Sequence, residues 1–177
     1  ENYAPLSLAV GVLVAKTLQD LGTQKLTLKW PNDIIFEDNK LAGILIERSI
    51  RNRFSKTVIV GIGINYNLTG VKGNFQELLN STDIFSCCDV LPSRDLLCGS
   101  ILNYIFLALK KFDSQGFKVF INDWNELNYL QGKDISVKSE ERVINGICKG
   151  VSLDGELIIF SNSKNHNICS GTIVNVK

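Results

Sequence analysis

The apolar positions near the start of the chain leave little room for a polar face. Leu6, Leu8, Val10, Leu13, Val14 and Leu18 crowd one short segment, and a helix that is apolar nearly all round is a buried one. Pro5 suits its first turn and Gly22 its stop, so a helix is predicted over 4–21. The period then shortens. Residues 26–30 read as a strand, and residues 34–37 and 40–47 as a hairpin joined at Asp38-Asn39. Residues 57–65 form a β-branched run suited to an inner strand. Residues 68–92 read as loops, with a short helix near 75–79. Ser93 can cap the next helix, with Asp95 in its first turn and Lys110 and Lys111 in its last. Leu97, Ile101, Ile105, Leu109 and Phe112 give that helix one apolar stripe, and Phe117, Phe120, Ile121 and Trp124 predict a second.

The character changes near Asn128. Beyond it come only short β-rich runs, at 133–138, 143–151, 156–160 and 172–176, with Asp154-Gly155 as a two-residue hairpin turn. Short strands over a stretch of this size suggest a small barrel. The pattern therefore predicts an α+β unit at 1–128, a mixed sheet packed with helices, followed by a small β-barrel at 129–177.

Composition narrows the function. The 177 residues carry a net charge of +1, which does not provide the basic surface expected of a nucleic-acid binder. The apolar stretch at 6–15 is too short to span a bilayer and runs straight into Lys16 and Asp20. Cys87, Cys88, Cys98, Cys148 and Cys169 are odd in number and irregular in spacing, which fits reduced thiols in the cytoplasm. His166 is the lone histidine, so neither a zinc site nor a histidine-based nucleophile has its parts. Glu1 at the first position and the absence of methionine indicate a processed or partial chain.

Three segments can carry chemistry. Lys29-Trp30-Pro31-Asn32-Asp33 ends a strand in a rigid turn that can aim an amide and a carboxylate into a cleft, though such a turn is also common as plain structure. In Lys40-Leu41-Ala42-Gly43-Ile44-Leu45 a lysine leads into an apolar strand beside small residues that let a ligand approach the backbone; alone, it reads equally as a hairpin lysine in solvent. Gly61-Ile62-Gly63-Ile64-Asn65 puts two glycines on one strand face, which makes either a flat apolar slot or tight sheet packing. Tyr66 occupies the third glycine position of G-x-G-x-x-G, and no P-loop occurs.

In this order the three segments resemble the signature of biotin protein ligases, and the resemblance runs through the whole chain. It implies a class II synthetase-like biotin/lipoate ligase catalytic fold at 1–128, in its C-terminal portion, and an SH3-like barrel at 129–177. It implies ATP-dependent activation of biotin as biotinyl-5'-AMP, then transfer to a lysine of the biotin carboxyl carrier protein of acetyl-CoA carboxylase. By resemblance Lys40 and Lys29 are catalytic, at the carboxylate and the phosphates. The resemblance implies that Lys40, Gly43, Ile44, Gly61 and Gly63 line the biotin slot. The resemblance further implies that Lys29, Trp30, Asn32, Asp33 and Asn65 meet the nucleotide, and Asp33 the Mg2+.

The chain also departs from that family. The family's Gly/Arg-rich loop and biotin-reading Ser/Thr cluster lie upstream of the matching segments and have no counterpart in these residues. The last strand, Ile173-Val174-Asn175-Val176-Lys177, lacks the arginine that many members place there. Two other readings share the residues: a lipoate-type acyl ligase, and a bifunctional ligase and repressor whose DNA-binding part lies upstream. A homodimer is compatible with the resemblance, and no membrane partner is expected.

Overall fold

Density of apolar residues makes the first helix a core element. In the computed structural model, α1 spans Ala4–Asp20 with Pro5 in its first turn, and Leu8, Val10, Val12, Val14 and Leu18 are buried. Residues 3–52, 55–71, 79–140 and 142–177 are described, so the helix expected near 75–79 lies outside the described residues save for its end.

Four antiparallel strands follow in meander order: β1 (Leu26–Lys29), β2 (Asp33–Phe36), β3 (Asn39–Asn52) and β4 (Ser55–Ile64). The β2–β3 turn falls one residue earlier than the pattern predicts. Phe36 pairs with Asn39, and Glu37 and Asp38 carry φ of 46° and 68°. Positive φ at both positions is what a type I′ turn, one of the two that match strand twist, requires. β3 also runs on to Asn52, beyond the predicted end at Glu47. Leu28, Ile34, Ala42 and Ile64 pair in a row across the four strands and face the core under α1.

After β4 the chain crosses to a one-turn helix, α2 (Ile84–Cys87), capped by Asp83, and then to α3 (Arg94–Gln115). Ser93 caps α3 as expected, its Oγ accepting from the Leu96 N–H. Lys110 and Lys111 are not in its last turn, because the helix continues to Gln115 and stops at Gly116, where φ is 68°. The second helix expected there is divided. A 3-10 turn, Phe117–Val119, precedes α4 (Ile121–Glu126), and Phe117, Phe120 and Trp124 are buried.

The C-terminal strands form one antiparallel sheet, ordered β8-β7-β6-β5-β9. They are β5 (Asp134–Ser139), β6 (Arg142–Val151), β7 (Leu157–Ser161), β8 (Lys164–Ile168) and β9 (Thr172–Val176). Ile135, Val137, Cys148, Leu157 and Ile159 bury one face. β8 escapes the hydrophobic pattern because Lys164-Asn165-His166-Asn167 is polar; a tight turn makes it, with φ of 50° at Asn162 and 63° at Ser163. Asp154-Gly155 is not a two-residue hairpin turn. It belongs to a longer loop in which the Gly155 N–H donates to Ser152 O.

That loop docks the small sheet onto the first unit. Trp30 is buried and its indole N–H donates to Gly155 O at 3.0 Å. The Leu28 N–H donates to Leu127 O and the Tyr129 N–H to Leu28 O, so the junction is stitched to β1. Among the described residues no helix is long and apolar enough to cross a membrane.

Candidate functional site

Pairing register assembles the site. Lys29, Asp33, Gly43 and Gly63 are consecutive partners in one row across β1, β2, β3 and β4. Directly paired residues share a sheet face, so this row lies opposite the core row. A charged end at Lys29 and Asp33 therefore passes into a bare end at Gly43 and Gly63.

Lys40 joins this face through an irregularity. Along a regular strand Lys40 and Gly43 would point to opposite faces. The β2–β3 register shifts, so that Ile35 pairs with Lys40 and Ile34 with Ala42. Leu41 and Ala42 are then both buried, as an extra residue in a bulge allows. Lys40 lands beside Asp33, with Nζ 2.5 Å from Oδ1. The pair is reachable, since 47% of the Lys40 side chain and 23% of the Asp33 side chain are exposed.

Glycine at Gly43, Gly61 and Gly63 is not required by backbone conformation, because none has positive φ. Packing does not demand it at the last two either. A Cβ on Gly63 would meet nothing nearer than Gly43 O at 4.0 Å, and one on Gly61 only Leu45 at 3.6 Å. On Gly43 a Cβ would touch Lys40 Cε and Nζ at 3.3 Å, so its absence lets the lysine lie across the strand. Glycine in a strand costs roughly 0.5–1 kcal/mol relative to Ala. What these glycines provide is a flat floor. Leu45 and Ile59, 57% and 49% exposed, flank it on the same face. Sequence reasoning left these two out, although their period-two spacing from Gly43 and Gly61 was the available signal.

The structure does not bring every expected residue to this face. Ile44 is 2% exposed and packs in the core. Its backbone is clamped by Asn32, whose Nδ2 donates to Ile44 O at 2.9 Å while Asn32 O accepts the Ile44 N–H. Trp30 is 1% exposed, beneath the site rather than lining it. Lys29, Asn32 and Asp33 border a narrow crevice with Ser7 and Pro31. Asn65 gives its amide N–H groups to Lys40 O at 3.2 Å and Thr82 O at 3.0 Å.

Asp83 braces the neighbouring loop, accepting from the Leu68 N–H at 2.5 Å and the Ser86 N–H at 2.8 Å. Burial pushes its carboxyl upward, but the bonds from Ser86 and Leu68 outweigh that and hold it below the usual carboxylate value. Thr82 Oγ1 is 3.5 Å from Cys87 Sγ, and burial raises that thiol.

One sheet face thus sets Lys29, Lys40 and Asp33 at one end and bare glycines at the other, and residues 2–65 match the Biotin/lipoate A/B protein ligase family. Within that class the chain is similar to biotin protein ligases. It is 28% identical over 155 residues to the bifunctional ligase/repressor BirA of Salmonella typhimurium, covering 87% of this chain and 48% of that protein. It is 28% identical over 142 residues to the biotin--[acetyl-CoA-carboxylase] ligase of Paracoccus denitrificans, covering 76% of this chain and 57% of that one. The solved structure of biotin protein ligase from Aquifex aeolicus in complex with biotin and ATP superposes with a TM-score of 0.83 at 27% identity, over 100% of this chain and 72% of that one. The chain thus spans about half the length of the curated relatives it matches.

Proposed function

We propose that this chain carries part of an ATP-dependent biotin protein ligase, the C-terminal portion of its catalytic domain with the small C-terminal β domain, which forms biotinyl-5'-AMP and passes the biotinyl group to a lysine of the biotin carboxyl carrier protein of acetyl-CoA carboxylase. The single observation that carries the reading is the row Lys29, Asp33, Gly43, Gly63 with Lys40 folded onto it. A ligand with an apolar body and an anionic head matches that row end to end.

The chemistry follows from the charges. Biotin's ring system and chain would lie on Gly43, Gly61 and Gly63 beside Leu45, with the carboxylate toward Lys40. A carboxylate oxygen attacks the α-phosphorus of ATP, the bond to the bridging oxygen breaks, and pyrophosphate leaves with its electron pair. Two anions must approach, so a fixed ammonium at each lowers the barrier: Lys40 at the carboxylate and α-phosphate, Lys29 at the leaving phosphates. In the second step the carrier lysine's amine attacks the acyl carbon and AMP leaves. Asn32 and Asp33 would border the nucleotide. Asp33 is a single carboxylate, and Mg2+ commonly takes one or two carboxylates together with phosphate oxygens. That donor set suits a metal arriving as MgATP rather than a resident ion, and among the described residues no cluster of His, Cys, Asp or Glu would cage one. Five unpaired cysteines support a cytoplasmic setting.

The test is pyrophosphate release and carrier labelling by the full-length protein with MgATP and either biotin or lipoate. Turnover with biotin is the expected result. Turnover with lipoate alone would move the chain to the lipoate side of the family, and none with either would refute the ligase reading.

A further inference from the structure

Lys40 is paired with Ile35 of β2 at the bulge, and on its other edge it is held by the segment that precedes α2 in a parallel bridge to Ser81. The Lys40 N–H donates to Asn80 O at 2.8 Å, and Lys40 O accepts from the Thr82 N–H at 2.9 Å. The second donor to Lys40 O is Asn65 Nδ2, at 3.2 Å, and the same nitrogen donates to Thr82 O at 3.0 Å. The main chain of Asn65 is fixed on both sides, its N–H donating to Leu41 O at 3.0 Å and its carbonyl accepting from Ile84 N at 2.9 Å. Asn65 therefore ties the irregular peptide of β3 to the end of β4 and to the segment entering α2.

We infer that Asn65 is a positioning residue for Lys40: its carboxamide holds the bulged peptide so that the ammonium stays on the glycine face. The inference rests on the ligase reading above and adds a residue that need not touch substrate to matter. A strand that slips by one residue turns its side chains to the opposite face. With one of its two donors gone, the Lys40 peptide is freer to relax toward regular register, which carries the ammonium away from Asp33 and the slot. Misplacement by about 1 Å is enough to cost about 10²-fold in rate. Only a group with two N–H donors at this place serves both carbonyls, so aspartate, nearly the same shape, cannot.

The competing role for Asn65 is direct reading of adenine, and the two differ in what they predict. The experiment measures adenylate formation by the full-length protein as Asn65→Ala, Asn65→Asp and Asn65→Ser, each also built on Lys40→Ala. Positioning predicts a fall in kcat of about 10- to 100-fold in Asn65→Ala, at least as large in Asn65→Asp and smaller in Asn65→Ser. ATP KM should stay within about threefold, the preference for ATP over GTP should be unchanged, and on Lys40→Ala the Asn65 substitutions should cost almost nothing more, because the lysine they position is gone. A raised ATP KM with relaxed base preference and near-normal kcat would overturn the inference in favour of adenine reading. The same fold-loss with and without Lys40 would overturn it too, as a role independent of the lysine. If Asn65→Ala does not fold, the Asn65→Ser cycle decides by the same criteria. Wild-type protein that makes no biotinyl adenylate would refute the ligase reading itself, a result separate from any difference among variants.

Discussion

Substituting Gly63 by alanine should make the protein more stable and its proposed slot worse, and the two effects can be sized separately. A Cβ at Gly63 finds its nearest neighbour, Gly43 O, at 4.0 Å, so the methyl group fits without displacing protein atoms. Relief of the strand glycine then contributes roughly 0.5–1 kcal/mol. For a chain of this size that raises Tm by about 1–4 °C. The same methyl stands about 1.5 Å off the backbone, one carbon–carbon bond, on the face where a ligand would lie flat. A biotin ring resting on the glycine floor must lift by a comparable distance, which removes backbone contact and displaces its carboxylate from Lys40. Misplacement on that scale costs about 10²-fold in rate. Thermal unfolding and calorimetry with biotin and with ATP, on the full-length protein, measure the two sides. Weaker biotin binding, near-normal ATP binding and a higher Tm are expected together. Unchanged biotin affinity would refute the placement, and lower stability would refute the claim that packing does not require this glycine. Gly146→Ala is the contrasting control, since its Cβ would run into Phe160 O in the small sheet, so it should lower Tm.

Other outcomes test the remaining links. Lys40→Ala should cut biotinyl adenylate formation by about 10²–10³-fold without unfolding the protein; pyrophosphate release within threefold of wild type would sink the assignment. Trp30→Phe leaves the buried Gly155 carbonyl without its donor and should cost about 1–3 kcal/mol, read by urea unfolding. Asp83→Asn tests the brace by its pH dependence. The folded carboxyl lies below its ordinary value, so its contribution is present above the unfolded pKa of about 3.9 and is lost as pH falls through the folded value. Wild type should be the more stable at pH 7 and should lose that advantage in acid; a gap that does not shrink there would refute the account.

Period and turn chemistry made most of the fold legible. The dense apolar run of α1, the β-branched run of β4 and the Ser93 cap each depend on neighbours in sequence, and each was readable. The misreadings share a different origin. Asn162 and Ser163 turn the chain with positive φ although neither is glycine, so β8 had no marker beyond a polar run. The division of the segment after Gly116 into a 3-10 turn and α4 keeps Phe117, Phe120 and Trp124 buried together, which is a tertiary requirement. At the site, residue types were legible but their division of labour was not. Trp30, Asn32 and Asn65 all read as ligand contacts. What the sequence did not show is the backbone bond that each also makes: the indole N–H to Gly155 O, and the two amide nitrogens to Ile44 O and Lys40 O of β3.

That division has a physical logic. A ligand slot needs an open floor, and an open floor gives no packing to hold the strand beneath it. The glycines at Gly43, Gly61 and Gly63 remove side chains that would otherwise lock β3 and β4 together on that face. The bulge that presents Lys40 interrupts the β2–β3 register as well. Both losses fall on the same few residues, so the order they would have supplied must come from elsewhere. It comes from side-chain amides bonded to backbone at the two ends of the open stretch: Asn32 on Ile44, one residue past Gly43, and Asn65 on Lys40, at the bulge itself. Such bonds are directional and short-ranged, so they fix a peptide without placing any atom over the floor. On the proposed reading, a motif that alternates glycine, lysine and asparagine describes one device: glycine clears the face, lysine charges its rim, and asparagine holds the backbone that the other two have left unsupported.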